Sequence, residues 1–104
     1  MTLFETAEEV LRSKNGLRIL AEIAKGKKRF NELQRVFGSS ATLTLRLREL
    51  ERLELVGRVM EIQEDNPTRR KPAVICYVVT PKGAKVAKLY QQFKMSLSEL
   101  LSKP

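Results

Sequence analysis

Arg29, Ser39, Ser40, Thr42, Thr44, Leu45, Arg48 and Arg52 crowd into one stretch, Lys27 to Arg58 (KKRFNELQRVFGSSATLTLRLRELERLELVGR). Short hydroxyls can donate and accept, and guanidiniums present a rigid fork of donors that matches phosphates and guanine edges. Hydrogen bonding to a polyanion is therefore within reach of this stretch. Bond-making chemistry is not. Histidine is absent, Asp65 is the sole aspartate and Cys76 the sole cysteine. Metal sites and acid–base catalysis usually draw on those residue types. The expectation is a protein that is not an enzyme and carries no metal and no cofactor.

Those residues need a scaffold, and the same stretch supplies one. Phe30, Leu33 and Phe37 give one apolar face of a short helix over 30–37. Gly38 can take the positive φ of a tight inter-helix turn. Ser39 or Ser40 then caps a longer helix running to about Leu53. On that helix Leu43, Leu47 and Leu50 share one face by their i, i+4, i+7 spacing. At about 100° per residue, Ala41, Thr44, Leu45, Arg48 and Arg52 fall opposite. A helix with short side chains at its start and arginines further along suits the DNA major groove, with basic residues on the flanking phosphates. Leu45 could touch a thymine methyl or pack against a partner. Arg46, Arg48 and Arg52 would look the same on a face that is merely solvated. Lys27, Lys28 and Arg29 could clamp phosphates, or form a plain surface cluster.

The bulk properties agree with a polyanion partner. The chain has 104 residues, a net charge of +8 and a pI near 10. That size makes one domain, 1–104, and that charge favours nucleic acid first and an anionic membrane second. No apolar run approaches the ~20 residues of a membrane span, and no signal-peptide pattern opens the chain. A lone cysteine fits a cytoplasmic, nucleoid-associated location. Lys and Glu are abundant while Trp and His are missing, a bias seen in proteins of hyperthermophiles.

Around this centre, Thr2 to Glu5 reads as a capping box opening a first helix, whose apolar stripe is Leu3, Ala7, Val10 and Leu11 with Phe4 beside it. A break at Ser13–Gly16 precedes a second helix from about Leu17, with Ile19, Leu20 and Ile23 buried and Gly26 ending it. Arg58 to Glu64 and Ala73 to Thr80 read as two strands. The basic loop DNPTRRKP joins them, with Arg69, Arg70 and Lys71 near the tip of the hairpin. Cys76 alternates with Ile75 and Tyr77 in the second strand and has no second cysteine or histidine beside it, which suits a structural role. Thr80-Pro81 opens the last helix. Its Val86, Tyr90, Phe93, Leu97 and Leu100 make a heptad-like seam. Some 20 helical residues span about 30 Å, more than the core of this chain can cover. A second copy is the expected cover, with the first helix joining the same interface.

The order helix–helix–helix–recognition helix–β-hairpin–helix is that of a winged helix-turn-helix. The fold class is thus mainly α with a small β-hairpin (α+β) and a long C-terminal dimerisation helix, 1–13 and 81–104 forming the dimer interface. Lys28-Arg29-Phe30-Asn31-Glu32-Leu33, Ser39, Leu43, Leu47-Arg48-Glu49-Leu50-Glu51, Leu55-Val56 and Arg58, then Tyr77, Val79, Thr80 and Gly83, form a recognisable pattern. On these residues the chain resembles the HxlR family of transcriptional regulators within the MarR-like group. The likeness runs from about Leu17 to Leu89. It implies a wing on the adjacent minor groove or its phosphates, where arginine is favoured in narrow grooves; Arg69 and Arg70 match that place, and Lys71 a phosphate contact.

Three departures stand out. The Cys-Pro near the start and the tryptophan that follows it in HxlR proteins are missing, so cysteine-based redox sensing does not carry over. Glu54 stands where the family has a glycine. The stretch from Arg58 to Tyr77 is longer than the compact HxlR wing and is similar to the neighbouring PadR and MarR families.

The expectation is a homodimeric, sequence-specific regulator bound to double-stranded DNA and not to a membrane. No polar constellation marks a pocket for a small-molecule effector. Two rivals stay open. A sequence-neutral nucleoid protein would bind unrelated duplexes equally. A protein–protein or RNA module would use Leu45 and the last helix as contact surfaces and hardly bind duplex.

Overall fold

A computed structural model describes residues 2–13, 15–61 and 74–102. Helix α1 (Leu3–Arg12) is capped by Thr2, whose hydroxyl accepts from the Glu5 amide at 3.1 Å. The helix ends at Ser13, and Asn15 enters the left-handed region with φ 66° before helix α2 (Gly16–Ala24). Asparagine tolerates that conformation better than most residues. Helix α3 (Phe30–Phe37) ends at Gly38, whose φ of 81° makes the turn into helix α4 (Ser40–Arg52). The Ser39 hydroxyl accepts from the Thr42 amide, so Ser39 rather than Ser40 is the cap.

The core is built where the helices converge. Ile19, Leu20 and Ile23 of α2, Leu33 of α3 and Leu43, Leu47 and Leu50 of α4 are buried together with Leu55, Val56 and Ala87. Phe30, Phe37 and Tyr77 close its edges. The leucine face of α4 is thus the inward one, as its spacing predicts.

The sheet departs from the sequence reading. Besides the wing strands β2 (Val56–Glu61) and β3 (Val74–Val79), Lys28 and Arg29 form a short strand β1, and the order is β1-β3-β2. Both neighbours run antiparallel to β3: Arg29 pairs with Cys76, and Val59 pairs with Cys76 from the other side. A strand of two residues has no alternation to read, which is why Lys28 and Arg29 pass for a loop. The first wing strand starts two residues before the predicted Arg58, because Val56 is buried and pairs with Val79.

Helix α5 (Pro81–Ser102) is 22 residues long. Thr80 caps it, the Gly83 amide donating to its hydroxyl at 2.9 Å. Val86 and Ala87 reach the core, but every described residue from Gln91 onward is exposed. The helix therefore projects, and the radius of gyration is 16.3 Å against about 13 Å for a compact chain of this length.

Candidate nucleic-acid interface

Burying Leu43, Leu47 and Leu50 forces the opposite side of α4 outward. Ser40, Ala41, Leu45, Arg48 and Arg52 are exposed there, and Leu45 keeps 52% of its surface in solvent. The leucine is not absorbed by the core. Thr42 and Thr44 are half-buried, and the Thr44 hydroxyl donates to the Ser40 carbonyl at 2.7 Å. Thr44 can then only accept from a ligand. The first turn of α4 holds no acidic side chain, so the positive end of the helix dipole meets solvent unopposed. Ser39, which caps that end, keeps its own proton free to donate.

Arg46 separates from the other arginines. Its side chain is 18% exposed and pairs with Glu49 at 2.9 Å. Both line a cavity of about 470 Å³ beside α1, together with Thr6, Glu9 and Arg12; Arg52 lines it too but remains exposed. Arg48 and Arg52 therefore carry the outward charge of α4.

Arg29 sits at the joint of β1 and α3. Its backbone amide donates to the Glu32 carboxylate at 3.2 Å, and its guanidinium lies 3.8 Å from Glu61, which also contacts Lys27. The basic run before α3 is thus partly neutralised by the wing strand. Sequence reasoning missed this partner, since Glu61 is remote in the chain. Arg69, Arg70 and Lys71, with the rest of the loop joining β2 to β3, lie outside the described residues.

A second surface, formed by α1 and α5, is apolar. Leu3, Phe4, Ala7 and Leu11 of α1 are exposed, and Val10 is half-buried. Phe93, Leu97 and Leu100 of α5 are exposed, while Val86 and Tyr90 lie half-buried nearer the core. Between the two helices runs an apolar groove of about 480 Å³, floored by Leu17, Leu53 and Leu55. Among the described residues no cluster of His, Cys, Asp or Glu could hold a metal, and no helix is long and apolar enough to cross a membrane.

Three helices leading into an exposed basic helix, then a hairpin and a closing helix, define a winged helix-turn-helix. The model of the HxlR-like helix-turn-helix family matches residues 10–103, and the chain belongs to that family. The HTH-type regulator ytcD is 26% identical, with 99% of this chain and 100% of that one covered at a TM-score of 0.78. The redox regulator HypR in its oxidised form is 28% identical over 94% and 96%, with a TM-score of 0.74. Reduced YodB from B. subtilis, a transcriptional regulator, is 26% identical over 91% and 89%, with a TM-score of 0.70. No curated protein matches the sequence. The chain is a winged-helix transcriptional regulator of the HxlR-like family, not an enzyme.

Proposed function

We propose that the chain reads double-stranded DNA by sequence as a homodimer in the cytoplasm, acting as one domain over 1–104. Helix α4 lies in the major groove with Ser39, Ser40, Thr42 and Thr44 at its entering end. Leu45 meets a thymine methyl, and Arg48 and Arg52 reach a base edge or phosphates. Arg29 holds the backbone, and the wing over 64–72, through Arg69, Arg70 and Lys71, takes the minor groove or its phosphates. The observation that carries this reading is the outward face of α4. It holds small and hydroxyl side chains first and two arginines beyond, with no acid in the first turn.

The dimer forms through α1 and α5. Leu3, Phe4, Ala7, Val10 and Leu11 meet Val86, Tyr90, Phe93, Leu97 and Leu100 across a two-fold axis, which presents two recognition helices to half-sites about one helical turn apart. So much exposed apolar surface on two adjacent helices supports an interface rather than a solvated face.

Selection from random and genomic duplex pools at about 150 mM salt, followed by sequencing of the retained DNA, tests the reading. A short inverted repeat is the expected result. Uniform retention would replace it with a sequence-neutral nucleoid protein, and no retention with a protein-interaction module.

A further inference from the structure

Three successive backbone carbonyls at the end of α4 are held by the start of α5. The Lys82 ammonium donates to the Leu53 carbonyl at 3.3 Å, the Thr80 hydroxyl to Glu54 at 2.6 Å and the Thr80 amide to Leu55 at 3.1 Å. The Thr80 hydroxyl in turn accepts from the Gly83 amide at 2.9 Å, so one side chain caps α5 and ties it to the turn that ends α4. The approach is close. A β-carbon on Gly83 would stand 1.9 Å from the Leu55 carbonyl oxygen. Elsewhere α5 meets the lobe mainly through apolar packing of Val86 and Ala87, which resists separation but has little directional preference. Hydrogen bonds do have direction.

From this geometry we infer that Thr80 is a positioning residue that fixes the angle between the recognition helix and the dimer helix, and so sets which spacing of operator half-sites the dimer accepts. The inference rests on the homodimeric, DNA-reading function proposed above. In such a dimer the two α4 helices are placed by the α5 pair, and the Leu53–Leu55 turn is the joint between them. Adding one base pair between half-sites moves one of them about 3.4 Å along the duplex. A stiff joint rejects that change, and a loosened joint tolerates it.

The test compares wild type, Thr80→Val and Thr80→Ser on inverted repeats whose spacer differs by one base pair either way. Sedimentation and circular dichroism of the same samples establish the dimer and the fold. Wild type is expected to prefer one spacer by roughly tenfold, the scale of a single mismatched base pair. Thr80→Val, which keeps the shape and loses the hydroxyl, should flatten that preference to about threefold while remaining a folded dimer, and Thr80→Ser should restore it. An unchanged spacer profile in Thr80→Val overturns the inference, as does a Thr80→Ser profile as flat as that of valine. Should Thr80→Val fail to fold, Thr80→Ala removes the same hydroxyl without the added bulk of a second methyl, and an unchanged profile there overturns the inference in the same way. A wild type that selects no inverted repeat at all overturns the DNA-reading proposal itself, a result distinct from any spacer profile.

Discussion

Glu51 and Arg58 face each other across the joint between α4 and β2, with Arg58 Nε 2.5 Å from Oε1 and Nη2 2.9 Å from Oε2 of the carboxylate. The two-pronged geometry gives direction as well as charge. The hydrogen bonds that Arg58 donates to Glu51, and then the charge of that carboxylate, hold the pKa of the guanidinium above its ordinary value. A raised arginine contributes its stability below its unfolded value and loses it only in strong base, so Arg58 adds no pH dependence at neutral pH. The pair links the recognition helix to the wing at its root. Because Arg58 is half in solvent, Glu51→Gln should cost under about 1 kcal/mol in a urea melt. It also leaves an uncompensated cation near the duplex. Affinity for random DNA should therefore rise in filter binding, while the ratio of operator to random affinity falls. An unchanged ratio would show the pair to be structural only.

Glu54 has φ 62°, in the left-handed region where a side chain crowds the following carbonyl. This is the position at which the resemblance to HxlR proteins calls for glycine. Glu54→Gly should relieve about 1 kcal/mol of that strain, which would raise the thermal midpoint by about 4 °C. Calorimetry at fixed protein concentration decides it, and a lower midpoint would mean that the flexibility of glycine in the unfolded chain outweighs the strain.

Gly83 offers the opposite case. Its missing β-carbon is what lets the first turn of α5 reach the Leu55 carbonyl. Gly83→Ala must displace backbone, with an expected loss of about 3 kcal/mol, at the upper end of ordinary overpacking. A denaturation midpoint close to that of wild type would show that the junction is softer than its contacts imply.

Phe93 is 63% exposed on the unsupported half of α5. Phe93→Glu should leave the fold of each subunit intact, a surface change usually worth within about 0.5 kcal/mol. In sedimentation it should halve the mass of the particle. The thermal midpoint of wild type should also climb with protein concentration, as coupled assembly requires, and that of the variant should not. Equal masses for the two proteins would rule out α5 as the interface.

Arg48 separates base reading from backbone holding. As a base contact, its replacement by alanine should cost about 1–3 kcal/mol and relax the sequence preference at one operator position. As a phosphate contact, it should weaken all duplexes alike and lower the salt slope by about 1. Leu45→Ala, next to it, should reduce only the preference for thymine. Selection repeated with each variant tells these outcomes apart.

The helical part of the fold was legible because its signals are local. Phe30, Leu33 and Phe37, then Gly38 and Ser39, state a helix, a turn and a cap within a dozen or so residues, and α3 and α4 fall where those residues place them. The inward leucines of α4 followed from spacing alone, and with them the outward face. What escaped depends on partners far along the chain. Lys28 and Arg29 become a strand only because Cys76 and Tyr77 arrive beside them. Arg46 looked like a companion of Arg48 until Glu49 and α1 drew it inward. The hold of Thr80 on the Glu54 carbonyl spans 26 residues, and no periodicity encodes such a bond. Glu54 lies between the two cases: the sequence shows it standing where the family has glycine, but its left-handed φ of 62° is visible only in the fold.

Cys76 is 2% exposed in the middle strand of the sheet, flanked by Arg29 and Val59. As the chain's single thiol it is a ready-made clock. A small alkylating reagent can capture it only during excursions that part β3 from a neighbour. The labelling rate, divided by that of the unfolded chain, gives the free energy of opening the wing's root without any engineered probe. Measured with and without operator DNA, the same rate would report how far binding clamps the sheet shut.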